Sequence, residues 1–277
     1  MKKISLLLLL FLSSSQSQIL NELHSPENIR KFADYLFAEK DYLRSVFEYE
    51  RLTGYEFNDT IQFKIALAYQ YMEKNDLALE KFSDIKSKSV FYEESKREYY
   101  KTLLQSGSYE DLQSSLINKD EKDFQRLLYL SYLFTSNGLP DKQVFSEPFP
   151  LDEQEKILYF YNQKKESPYK SSLLSGLISA LIPGSGKIYL GEIGDGIAAF
   201  LASSLFAFLS YDNFSADHNF RGWLFAGIGF FFYAGNIYGS VAAAQIYNAK
   251  VDYEFNANLR EYLQNKNYFL PGNDFIK

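Results

Sequence analysis

Residues Leu181–Ile197 read LIPGSGKIYLGEIGDGI, a stretch of seventeen residues in which five are glycine and one is proline. Both residue types weaken or break a helix interior, so the stretch predicts a corner between helices. What it joins is apolar. Gly196–Tyr211 and Gly222–Ala249 contain no charged residue, and a chain that carries such runs around a glycine corner reads as one that folds against lipid.

Three apolar segments surround the corner. Ser171–Ile182 falls well short of the roughly 20 residues a spanning helix needs and ends at Pro183, which predicts an interfacial or re-entrant helix. The second, Gly196–Tyr211 with Asp195 as N-cap, spans only if its flanks snorkel or the bilayer thins. The third, Gly222 to about Ala244, is long enough. Small residues recur every four positions on both longer segments, as Ala199, Ser203 and Ala207 and as Gly235, Gly239 and Ala243. In lipid, close backbone approach drives helix association, so these two stripes are expected to pack together, with Asp212–Phe220 closing an antiparallel hairpin. Trp223, Phe231, Phe232 and Tyr233 are expected to face lipid or headgroups. The competing reading is a glycine-rich soluble core.

The mean hydropathy of -0.27 conceals a compositional break near Ser167-Pro168. Before it the chain is rich in Glu, Lys, Asp and Tyr; after it, in Gly, Ala, Phe and Leu. Residues 1–17 (MKKISLLLLLFLSSSQS) pair two lysines with an apolar run from Ile4 to Leu12 and then small polar residues, the pattern of a secretory signal peptide. The chain has no cysteine, which excludes disulfides, lipid attachment at cysteine and a cysteine nucleophile. A net charge of -6 with no Lys/Arg cluster argues against a nucleic-acid partner.

Three segments of the first half align at offsets of 33 and 34 residues: FADYLFAEKDYLRSVFEYERL from Phe32, IALAYQYMEKNDLALEKFSDI from Ile65 and YYKTLLQSGSYEDLQSSLINK from Tyr99. Each is a helix, a polar turn and a second helix. Ser45, Ala78 and Leu112 occupy one position of the second helix, and Tyr49, Phe82 and Leu116 lie one turn further on the same face. This unit and period resemble tetratricopeptide repeats, over about residues 28–118. Leu112 departs from the small residue of that pattern, and its early tryptophan is absent. A fourth, irregular helix pair, Asp123–Ser136 and Asp152–Asn162, caps the stack. The resemblance implies a concave groove that holds a protein partner, with Tyr42, Tyr49, Tyr69 and Phe82 as contact candidates.

Pro183, Gly184, Gly186, Tyr189, Gly191 and Gly196 resemble the glycine and Tyr-Leu-Gly signature of small bacterial two-transmembrane-helix domains, and hydrophobic C-terminal domains attached to tetratricopeptide repeats in envelope proteins. The resemblance implies an envelope role. Gly186-Lys187 is no phosphate loop, because Leu181 and Ile188 stand where glycine and Ser or Thr are required. The glycine spacing also fails the dinucleotide pattern, and His24 and His218 alone build no zinc site.

The chain is thus expected to be all-α and non-enzymatic: a signal peptide (1–17), a helical repeat domain (25–165), a hydrophobic membrane-associated helical domain (169–250) and a polar tail (251–277). It needs no cofactor or metal. A cleaved signal would put the repeats in the periplasm and tether the protein to a bacterial inner membrane. The alternative is part of a transport complex, with Lys187, Glu192, Asp195 and Asn236 lining a polar path.

Overall fold

The computed structural model describes residues 25–55, 58–135 and 138–270; the expected signal peptide and His24 lie outside them. Among the described residues the protein is all-α, with thirteen helices and no strand. Two compact units divide the chain. Unit 1 comprises the residues up to Tyr159 together with those from Arg260, and unit 2 is Phe160–Leu259.

Unit 1 opens with α1 (Pro26–Ala38) and α2 (Tyr42–Thr53). Ser25 starts α1 by accepting from the Asn28 backbone N–H at 3.3 Å, with Pro26 behind it where no N–H is missed. Asp41 does the same for α2 through Arg44. Next come α3 (Asp59–Tyr71), α4 (Asn75–Ser83), α5 (Tyr92–Ser106) and α6 (Tyr109–Leu116), each packed on its neighbour in sequence. The turns inside the pairs share a device. Lys40, Glu73 and Gly107 all have positive φ, at 62°, 57° and 83°, and stand 33 and 34 residues apart. α7 (Lys122–Phe134), α8 (Lys142–Ser146) and α9 (Leu151–Lys165) complete the series.

The core of unit 1 is built of large apolar side chains turned inward. Ser45, Ala78 and Leu112 are fully buried, as are Tyr49, Phe82 and Leu116. Burying a side chain of Leu or Phe size contributes about 1.5–3 kcal/mol, so these positions hold the helix pairs closed.

Unit 2 contains α10 (Ser172–Leu181), α11 (Ser185–Tyr189), α12 (Ile193–Ser215) and most of α13 (Asn219–Asn265). Pro183 and Gly184 separate α10 from α11, and Gly184 adopts φ 86°. α12 begins at Ile193 with Glu192 as its N-cap, so the second apolar helix is longer than Gly196–Tyr211 and Asp195 lies in its first turn. At 1.5 Å per residue its 23 residues reach about 34 Å, which exceeds a hydrocarbon core of about 30 Å without thinning. α12 and α13 are both long and apolar enough to cross a membrane, and few residues of their apolar stretches are buried. Ser210 against Gly222, Phe206 against Gly229 and Phe232, and Phe214 against Trp223 show that the two run antiparallel.

The expected polar tail differs. α13 runs unbroken to Asn265, and Phe255, Leu259, Leu263 and then Phe269 are buried. The first three are spaced four apart among polar residues, so composition reads polar where the helix is amphipathic. The domain boundaries move accordingly, because the residues from Arg260 belong to unit 1.

Candidate functional site

Unit 2 is held by a seam of small and polar groups. The Ser175 hydroxyl donates to the Ser240 carbonyl at 2.9 Å, with the Gly186 carbonyl at 3.2 Å. Ser179 and Ser240 hydroxyls share a hydrogen bond of 2.7 Å, and the Gly186 N–H donates to Ser179 Oγ at 2.9 Å. Asn236 receives the Gly184 N–H on Oδ1 at 3.1 Å and donates from Nδ2 to the Ser179 carbonyl at 3.4 Å. Tyr233 donates to the Ala180 carbonyl at 2.6 Å, which removes it from the lipid-facing set. The contacts between Ser175, Ser179 and Gly186 close the α10–α11 corner on itself, and those to Tyr233, Asn236 and Ser240 tie it to α13.

The glycines of the corner make this approach possible. A Cβ on Gly184 would fall on the Gly196 carbonyl, and one on Gly186 would fall on the Ser175 carbonyl and the Ser179 hydroxyl. A Cβ on Gly176 would stand 2.7 Å from Val241. Gly191 has φ 90° with open space around it; its need for glycine is conformational alone. Pro183 ends α10, and the Lys170 ammonium lies 4.7 Å from the Tyr189 ring centre.

The two small-residue stripes are not brought together as expected. Ser203 is buried and Ala199 half-buried, but Ala207 is exposed; Gly235 has open space, and the atom nearest a Cβ on Gly239 is Lys187 Cε at 3.9 Å. Ala243 is half-buried. The α12–α13 contact uses large residues over glycine instead, Phe214 over Gly222 and Phe206 over Gly229. An open apolar groove of about 430 Å³ runs between these helices past Ser203, Phe206, Ala207, Phe225 and Phe230. Of the residues expected to form a polar path, Lys187 and Asp195 pair at 3.8 Å and Glu192 is exposed. Asn236 is spent on the seam.

In unit 1 the contact candidates are mostly core. Tyr49 is buried, its hydroxyl donating to Asp34 at 2.6 Å, and burial followed by that carboxylate pushes its phenol well above the ordinary tyrosine range. Phe82 is buried against Phe63. Tyr42 stacks on Tyr71, ring centres 4.8 Å apart, and half-buried Tyr69 donates to Glu50 at 3.4 Å. Tyr49 and Phe82 are thus core residues, while Tyr42 and Tyr69 are half-buried and keep part of their surface exposed.

A different set of unit 1 residues converges on the chain's own end. Arg260 donates to Tyr109 Oη at 2.9 Å and to the Gln105 carbonyl at 3.3 Å, and lies over the Phe134 ring, itself stacked on Tyr109. Tyr262 and Tyr268 both donate to Glu153, at 3.2 and 2.8 Å, and Lys266 approaches Asp152 at 3.4 Å. Gln70 Nε2 donates to the Phe269 carbonyl at 3.1 Å and to Glu98 at 3.0 Å. Burial raises the Glu98 carboxyl above the usual range, opposed by the Lys101 ammonium at 2.7 Å. Helical spacing exposes none of the contacts to the segment from Arg260, because their partners are separated by more than a hundred residues. The seam left a weak signal, serines four apart inside an apolar helix.

These features define an all-α protein that couples an apolar helical unit, sewn by serine and glycine, to a unit of packed helix pairs. Over 79 residues the chain is 33% identical to the uncharacterized protein MJ1516 of Methanocaldococcus jannaschii, a match that covers 27% of this chain and 75% of that protein. The chain belongs to the same family as this archaeal protein through that segment. No protein-family model and no solved structure matches it.

Proposed function

We propose that the protein is a non-enzymatic, membrane-tethered scaffold of the cell envelope whose helical repeats bind a protein partner, in envelope assembly or membrane-protein biogenesis. The observation that carries the tether is the reversed polarity of unit 2. Its buried polar side chains are Ser175, Ser179, Ser203, Asn236 and Ser240, while Leu173, Leu201, Leu205, Phe208 and Trp223 are exposed. In water that arrangement leaves a large apolar surface without cover; in a bilayer the apolar side chains gain their solvent, while Ser175, Ser179, Asn236 and Ser240 are satisfied internally.

The scaffold part rests on the tetratricopeptide resemblance of residues 28–118 and on helix pairs that recur with the same positive-φ turn. The signal-like residues 1–17 favour an inner-membrane protein with its repeats in the periplasm. Carbonate washing of native membranes tests the tether, with the intact protein expected in the pellet; release of most of it to the supernatant sinks the proposal. Crosslinking and pull-down from the native cell test the scaffold, and protease added to intact spheroplasts tests the side on which the repeats lie.

A further inference from the structure

The segment from Arg260 is seated across successive helix pairs of unit 1. Its contacts come from α3 (Gln70), α5 (Gln105), α6 (Tyr109), α7 (Phe134) and α9 (Glu153). α3, α5 and α7 are the first helices of their pairs, and Gln70, Gln105 and Phe134 all stand in their last turns, so the segment bridges successive pairs along one continuous surface; stacked pairs use such extended surfaces for binding. We infer that this face is a peptide groove already filled by the protein's own residues 260–270, and that its partner is a protein segment of the same chemistry that displaces them. This inference rests on the reading of unit 1 as a partner-binding scaffold.

The contacts specify the partner. An arginine is held by a phenol oxygen, a main-chain carbonyl and an aromatic face, an arrangement that suits a planar guanidinium. Two phenols converge on one carboxylate, and Leu263 and Phe269 supply the buried apolar anchors. The occupant is also imperfect. Gln70 Oε1 is buried and has no hydrogen-bond partner among the described residues, while the Nε2 of the same amide donates to the tail's Phe269 carbonyl. A segment that also brought an N–H to this oxygen would satisfy the whole amide, since a buried unpaired acceptor keeps its desolvation cost. A competing protein segment therefore has a route to displace the tail, and the tail sets the threshold. A groove open only a small fraction of the time binds more weakly in proportion to that fraction.

The full-length protein in detergent tests this with a fluorescent peptide of residues 259–270, LREYLQNKNYFL. Arg260→Ala with Tyr268→Phe weakens the internal tail and leaves the groove intact, so the peptide is expected to bind this variant at least about tenfold more tightly than the wild type. Adding Glu153→Ala, on the groove side, should abolish the gain. Equal binding to wild type and double variant, with helix content unchanged, overturns the inference. Hydrogen exchange on the wild type decides the matter if the variant unfolds. Residues 260–270 should exchange ahead of α3 and α5, and exchange only with global unfolding would make the tail a fixed piece of the core. Crosslinked partners without peptide binding would keep the scaffold and overturn the occupied groove.

Discussion

Unit 1 and unit 2 are both helical, yet they sort residues in opposite directions. In unit 1, Phe63, Leu104 and Leu130 are buried, and the ion pairs Lys31–Glu27 and Arg51–Glu48 lie on exposed helix faces. In unit 2, serines and glycines fill the interior and Leu201, Phe208 and Phe231 are exposed. The contrast separates two driving forces. Apolar burial is the force expected to hold a unit that folds in water, while tight backbone contact and internal hydrogen bonds are those expected where the surroundings are themselves apolar. A glycine in unit 2 therefore plays the part that a leucine plays in unit 1.

Substitutions can break that equivalence. The largest effect is expected at Gly184→Val, which places a β-branched side chain at φ 86° and on the Gly196 carbonyl; a loss above about 3 kcal/mol should prevent a folded unit 2. Gly194→Ala, with nothing within 4 Å of the new methyl, is the control, and thermal unfolding in detergent should leave it near wild type. In unit 1, Leu130→Ala at a fully buried site should cost about 2–5 kcal/mol in urea unfolding. Leu201 on α12 is exposed, so alanine there should move detergent unfolding by less than about 0.5 kcal/mol. Leu201→Lys instead should weaken membrane retention by about 2.5–3.5 kcal/mol if the helix spans, read as carbonate release. A smaller change is expected for Ser240→Ala, which removes the hydroxyl shared with Ser179, at about 0.6–1.7 kcal/mol.

The smallest effect belongs to a buried charge in the apolar-cored unit. Burial raises Glu98 in the folded state, so the folded form holds this proton more tightly than the unfolded chain. Its contribution to stability is full below the ordinary carboxylate value and is lost as pH rises through the raised one. The urea midpoint of the wild type should carry a component that falls between mildly acid and neutral pH. Glu98→Gln should flatten that component, and an unchanged slope would remove Glu98 as its source.

The all-α class and the glycine corner were legible because both depend on neighbours in sequence. Proline and glycine at positions 183–186 end a helix whatever lies nearby, and the 33- and 34-residue offsets emerge from simple alignment. The packing partners were less legible. Small-residue spacing marked Ser203 and Gly239 as positions of close approach, yet only Ser203 is buried and Gly239 faces a lysine stem at 3.9 Å; what fills such a space depends on the crossing point of α12 and α13, which local pattern does not encode. Composition likewise hid the role of residues 255–270, since an amphipathic helix end and a solvated tail share the same average polarity. Tyr49 and Phe82 illustrate a third gap: an aromatic at a helix interface and one on a binding face have the same spacing.

Unit 1 is discontinuous in the chain, and that sets an order of manufacture. The residues that complete it, from Arg260, leave the ribosome only after the hundred residues 160–259, a delay of roughly 5–20 s at typical rates of synthesis. During that interval the face built by Gln70, Tyr109 and Glu153 has no tail to close it. The nascent chain thus passes through a stage in which its helix pairs are made, its long apolar helices are emerging, and the segment from Arg260 is still absent, a window open to chaperones and to any competitor for the same face.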